Sequence, residues 1–189
     1  MNAKQFIFSN EKGLMPDIHF RAMSITIRAR EAIFKSSNRL DKFGIEKGYT
    51  VIDYGCGPGA YVPKAAELVG EKGIVYAADI HPLAIEYVNK IIRQQELSNV
   101  KSVLVDEYHC PLPNDMADLI FLLDAFHMIQ DPDIFLQEIH RLVKTSGVLF
   151  LDDGHQSRRA TKQKITHSGL WSITNENKDH IKCAPIIRS

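Results

Sequence analysis

The sequence predicts an α/β fold: a seven-stranded, mostly parallel sheet with an antiparallel last strand and helices on both faces. Two observations carry this. From Tyr49 onward, short apolar runs rich in β-branched residues alternate with longer helical patterns. Strands that alternate with helices need crossover connections, and therefore pair in parallel. Near the C-terminus the alternation stops, and two apolar runs flank a polar turn too short to hold a crossover helix.

The elements follow in chain order. Residues 20–38 read as one amphipathic helix and 39–43 as a short second one. The expected organisation is an N-terminal helical cap segment, 1–48, on a domain of residues 49–189, with Phe20 among the residues that would line the cap. Strands are expected at 50–54, 73–79, 101–106, 118–123 and 147–152, apolar throughout as strands buried on both faces should be. Helices are expected at 61–69, 82–96 and 132–143. Pro82 and Pro132 suit a first helical turn, where the missing N–H costs nothing. Asp131 suits an N-cap, and Gly147 reads as a stop after the last of these helices. Residues 170–174 and 180–187, separated by 175–179, form the expected hairpin.

Composition narrows the function classes. Lys plus Arg and Asp plus Glu both total 23, giving no net charge, whereas nucleic-acid binders draw much of their affinity from a basic excess. The three cysteines are too few and scattered for a disulfide framework, and none forms a CxxC pair. No stretch approaches the roughly 20 apolar residues of a membrane helix, and residues 1–10 lack the apolar run of a signal peptide. The expectation is a soluble, cytoplasmic protein without nucleic-acid or membrane partners.

The informative stretch is VIDYGCGPG, residues 51–59. A strand ends in Asp53, and Gly55, Gly57 and Gly59 alternate into a helix. Glycines let backbone approach a ligand closely, and open α/β sheets bind ligands at the carboxyl ends of their strands. Gly55-x-Gly57-x-x-Ala60 also satisfies a dinucleotide pattern, and Asp79, ending the next strand, would hold ribose hydroxyls in either reading. Asp53 separates the two. A negative charge beside the loop disfavours a pyrophosphate and suits a ligand carrying an ammonium and a sulfonium.

These residues resemble the class I S-adenosylmethionine-dependent methyltransferases, a Rossmann-like fold, over roughly Tyr49 to the C-terminus. Asp53-x-Gly55-x-Gly57-x-Gly59 is similar to the family's first motif, whose glycines pass under the methionine part of the cofactor. The resemblance further implies Asp79 on the ribose, Ile80 beside the adenine, and Asp106 at the adenine amino group with Glu107 following. Leu123 and Tyr61, just past the loop, complete the implied contacts. PLPNDMADLIFLLDAFHMI and EIHRLVKTSGVLFLDD are similar to the fourth- and fifth-strand regions, and the tail hairpin is a family hallmark.

Methyl transfer from a sulfonium is an in-line displacement that positioning alone can accelerate. A base is needed only where the acceptor must lose a proton. His127 and Asp124, in the loop after the fourth strand, are the candidates, each with a plainer reading as a packing or turn residue. Asp152, Asp153 and His155 cluster after the fifth strand and read as a solvated turn sooner than a metal site. That leaves no metal site expected. The fourth-strand loop lacks the Asn/Asp-Pro-Pro-aromatic signature of amino-methylating nucleic-acid enzymes. A small-molecule methyl acceptor is therefore expected, with S-adenosylhomocysteine as the product. The alternatives are a cofactor-binding module that serves a partner protein without turnover and, ranked below it, a protein or RNA methyltransferase.

Overall fold

The computed structural model describes residues 14–187. Seven strands form one sheet in the order β3-β2-β1-β4-β5-β7-β6. They are β1 (Thr50–Tyr54), β2 (Ile74–Asp79), β3 (Val100–Leu104), β4 (Ala117–Leu122), β5 (Val143–Leu151), β6 (Trp171–Glu176) and β7 (Ile181–Pro185). The first five pair in parallel, while β7 runs antiparallel to both β5 and β6.

Seven helical segments among the described residues cover the sheet or cap its edge: α1 (Asp17–Phe34), a 3-10 segment (Ser36–Lys42), α2 (Val62–Val69), α3 (Pro82–Gln94), a 3-10 turn (Phe126–Met128), α4 (Pro132–Leu142) and α5 (Arg158–His167). Burial divides them. Val62, Ala65 and Val69 of α2 and Leu83 and Val88 of α3 join Phe20 and Leu40 against Val51, Val75 and Phe121. Phe135, Leu136 and Ile139 of α4 and Ile165 of α5 pack on Ile52, Ile120 and Leu149. Alternate residues of β1 and β4 thus feed opposite layers, as a period of two requires.

Several boundaries differ from expectation. The N-terminal helix stops at Phe34 because Lys35 turns left-handed at φ 46°, its N–H still bonding Glu31 O. The Glu31 carboxylate then accepts from the Ser37 amide and hydroxyl, starting the 3-10 segment. Strand β3 ends at Leu104, not 106, because Asp106 pairs with His109 in a tight turn and Glu107 has φ 51°. Strand β5 begins at Val143, directly after α4, so Gly147 lies inside a strand and stops no helix. A Cβ there would sit 2.8 Å from Ala117 O. Asp131 occupies the N-cap position of α4 without a side-chain capping bond. Helix α5 was not anticipated at all.

Candidate functional site

The carboxyl ends of the five parallel strands form one edge, and the turns leaving it gather most of the expected site residues. After β1, the amides of Gly55 and Cys56 both donate to Ala78 O, at 2.7 and 3.1 Å, folding the glycine loop back over β2. The loop glycines serve different ends. Gly57 has φ 51°, and a Cβ there would meet nothing within 4 Å among the described residues, so it presents bare backbone. Gly59 has φ 78°, and its Cβ would lie 2.8 Å from Ile91 Cδ1 and 3.2 Å from Val88 Cγ2. Its glycine requirement therefore comes from contact with α3.

Two carboxylates lie beneath the loop. Asp53 faces Ala77 and Phe121 in the sheet register. It is 2% exposed, and its Oδ2 has no hydrogen-bond partner among the described residues. Burial, reinforced by the charge of Asp79, holds its pKa well above the ordinary value. Asp79 accepts from the Gly57 amide at Oδ2 and the His81 amide at Oδ1, both at 2.8 Å. Burial raises its pKa although both amide bonds oppose the shift. A carboxylate has about four lone-pair positions, so acceptor capacity remains for two further donors. An orphaned buried carboxylate oxygen, a second buried acid and exposed backbone together fit a ligand with a cationic end and a hydroxylated sugar.

Beyond Asp79 lies a cavity of about 270 Å³ walled by Ile80, Pro82, Leu104 and Val105, with Asp106 and Glu107 at its rim. Ile80 and Leu104 stay 39% and 51% exposed, leaving two apolar surfaces uncovered beside an acid. A flat heteroaromatic ring with an exocyclic donor suits that arrangement.

At the other end of the edge, Leu123 is buried and Asp124 turns left-handed at φ 60°. Its amide donates to Asp152 Oδ1 at 2.8 Å, and its carboxylate accepts from Arg30 at 2.5 Å and from the Tyr61 hydroxyl at 3.4 Å. Burial, then the Asp124 charge, pushes the Tyr61 hydroxyl up to about 12. Arg39 donates to Asp152 Oδ2 at 3.0 Å, and Asp153 holds Arg158 through both oxygens. These two aspartates are thus ion-paired, and Asp152 is buried, which corrects the reading of a solvated turn. Among the described residues no three His, Cys, Asp or Glu side chains gather as a metal would require.

His127 stands against Gly154 and meets the His155 ring edge-on at 4.9 Å. Its Nδ1 is buried without a hydrogen-bond partner among the described residues, and burial with His155 nearby lowers its pKa, so the neutral imidazole prevails at neutral pH.

Sequence reasoning missed the residues that fasten the N-terminal helices here: Arg30, Arg39 and His81. His81 is 4% exposed, stacks on Phe20 at 4.0 Å, caps α3 through Leu83 N, and bonds Met15 O at 2.9 Å. Its one sequence signal is its place before Pro82, an N-cap position.

A family model described as a methyltransferase domain matches residues 45–182. The demethylmenaquinone methyltransferase of a Geobacillus strain is 24% identical over 129 residues, which are 68% of this chain and 55% of that protein. An Escherichia coli ubiquinone/menaquinone biosynthesis C-methyltransferase is 29% identical over 113 residues, 59% of this chain and 45% of that one. The chain therefore spans about half the length of the curated relatives it matches. A solved Aquifex aeolicus S-adenosylmethionine-dependent methyltransferase superposes with TM-score 0.75 and 27% identity, covering 87% of this chain and 98% of that chain. Its seven-stranded sheet, the glycine loop above two buried acids and a family match over 45–182 lead to one conclusion: this chain belongs to the S-adenosylmethionine-dependent methyltransferases.

Proposed function

We propose that the chain transfers a methyl group from S-adenosylmethionine to a small-molecule acceptor, releasing S-adenosylhomocysteine. The observation that carries this reading is the bare Gly57 backbone above buried Asp53 and Asp79. In the proposed arrangement Gly55 and Gly57 run along the methionine end, with Asp53 supplying compensating negative charge and Tyr61 closing that side. Asp79 holds the ribose hydroxyls. Ile80, Asp106 and Glu107 surround the base, and Leu123, after β4, borders the methionine end.

The cofactor, when bound, supplies an electrophilic methyl on a good leaving group. The protein's part is to hold the acceptor in line and exclude water. Neutral His127 takes a proton where the acceptor is a phenol or hydroquinone, and Asp124, fixed by Arg30 and Tyr61, orients it. Residues 14–48, the described part of the expected 1–48 segment, serve as a cap over the acceptor, which the Arg30–Asp124 and Phe20–His81 contacts support; residues 1–13 lie outside the described residues. The names of the curated relatives make hydroquinone-like acceptors the first class to try. Three buried free cysteines favour a reducing, cytoplasmic setting. No helix among the described residues is long and apolar enough to cross a membrane.

The test is a product assay: S-adenosylhomocysteine release with a panel of hydroquinone, phenol, amine and thiol acceptors. Turnover with one class, reduced at least about tenfold in His127→Asn if the class needs a base, supports the proposal. Cofactor binding without turnover across the panel favours the non-catalytic module.

A further inference from the structure

Helix α1 turns apolar side chains outward. Ile18, Ile25 and Ile33 are each 71% exposed. Ala22, Ala29 and Ala32 are exposed with them, and the six recur at steps of three and four, so they share one face of the helix. Phe20 and Ser24 lie buried on the opposite face, where α1 packs against the rest of the protein. The side chains that fasten α1, Phe20 on His81 and Arg30 on Asp124, belong to neither part of the outward row. Scattered exposed apolar residues are ordinary on a protein surface, whereas a contiguous row of them marks a contact surface. The functional reading above gives this face no role.

Basic residues border the apolar row. Arg21 and Arg28 stand one heptad apart beside it, Lys35 follows at the C-cap, and all three are exposed. None of the three forms an ion pair among the described residues. Residues 17–35 carry four Arg and Lys against Asp17 and Glu31, on a chain whose total charge is zero. The Glu31 carboxylate is turned inward by its bonds to Ser37. The outer side of α1 is therefore both apolar and positive.

Two kinds of partner suit an apolar helix face, and magnitudes separate them. A helix of 18 residues is about 27 Å long and about 10 Å wide, so its outward face offers roughly 300 Å². Each partner in a stable protein interface buries about 800 Å². A second copy packed antiparallel on this face would also set Arg21 and Arg28 against their own equivalents, because a two-fold contact brings each flank to its like, and like charges repel. A lipid surface meets neither difficulty. Interfacial helices sink an apolar face below the headgroups while neighbouring Lys and Arg pair with anionic lipids.

We propose that α1 docks on the surface of an anionic lipid membrane, with Ile18, Ile25 and Ile33 below the headgroups and Arg21, Arg28 and Lys35 against them. The expectation of no membrane partner rested on the lack of a spanning run, and a helix that lies in the surface needs none. The inference rests on this face alone and stands apart from methyl transfer.

The experiment is co-sedimentation of the full chain with vesicles of phosphatidylcholine alone and of phosphatidylcholine with about a third phosphatidylglycerol. We expect binding to the mixed vesicles, weaker binding to phosphatidylcholine, and loss of binding as salt rises. I18Q/I25Q/I33Q replaces the isoleucines with a good helix former and should weaken binding by about tenfold or more. R21Q/R28Q should weaken it about twentyfold, since each basic residue near such a surface contributes about fivefold. Both variants should melt at the parent's temperature, which separates lost docking from lost folding. No binding to the mixed vesicles, or binding unchanged in either variant, would overturn the proposal. So would a parent dimer in analytical ultracentrifugation that I18Q/I25Q/I33Q dissociates, because the face would then belong to a second copy.

Discussion

Asp79 Oδ2 accepts the Gly57 amide at 2.8 Å, making the acid that ends β2 and the loop glycine with space for a Cβ one hydrogen-bonded unit. The same carboxylate is proposed to hold the ribose, so loop geometry and sugar binding depend on a single side chain. Asp79→Asn keeps the shape and removes charge and acceptor capacity. We expect cofactor affinity to fall roughly 10- to 100-fold, since hydrogen bonds to charged groups contribute about 1.5–3 kcal/mol. Calorimetric titration with S-adenosylhomocysteine checks this, and an unchanged affinity removes Asp79 from the ribose site.

The two glycines that follow separate binding from stability. Gly57→Ala adds a methyl with no atom of the described residues within 4 Å beyond its chain neighbours, at a left-handed backbone cost of about 1–2 kcal/mol. Gly59→Ala carries a similar backbone cost and also drives its Cβ into Ile91 and Val88 of α3. We expect Gly59→Ala to lower the melting temperature of the ligand-free protein more than Gly57→Ala does. Relative to stability lost, Gly57→Ala should weaken cofactor binding more. Thermal melts alongside titration distinguish these outcomes, and the opposite ranking would contradict the assigned roles.

Asp53 links pH to stability. In an unfolded chain an aspartate titrates at about 3.9, and burial with Asp79 nearby raises this one well above its ordinary value in the fold. Between those two pKa values the folded protein holds a proton that the unfolded chain has lost. Stability therefore falls as pH rises through that window, and the deficit persists at neutral pH. Asp53→Asn has no such proton. Without ligand it should be more stable than the parent at neutral pH, with the difference shrinking as pH approaches about 4. It should also bind the cationic cofactor more weakly than the parent. Urea melts across this range test the point, and a pH-independent difference would contradict it.

Much of this arrangement was legible in the sequence. Strand β1 and the glycine loop were readable because Thr50–Tyr54 is an apolar run closed by turn-forming glycines. The tail hairpin was readable because its polar turn leaves no space for a helix. Helix α5 was not: RRATKQKITH buries only Thr161 and Ile165, so no apolar periodicity announces it. Its start is marked by Ser157, whose hydroxyl accepts from Ala160 N, a cap signal present in the sequence but weak by itself. Arg30, Arg39 and His81 were invisible as site residues for another reason. Their partners lie 94, 113 and 66 positions away in the chain, and no local pattern encodes such pairings.

The Arg39–Asp152 pair ties the 3-10 segment to the turn after β5. Their side chains are 20% and 8% exposed, and Asp152 also holds the Asp124 amide. Arg39→Met strands a buried carboxylate, which costs about 3 kcal/mol or more. We expect a fall in stability of that order by urea denaturation, and a smaller one for Asp152→Asn. Equal losses in the two variants would show that the pair acts through packing and not through charge.

The central claim is that the cofactor lies along the carboxyl edge of the parallel strands. A crystal structure with S-adenosylhomocysteine measures it directly. We expect the ribose hydroxyls on Asp79, the base between Ile80 and Leu104, and the amino acid end over Gly57. Density on another face of the sheet instead would contradict the account.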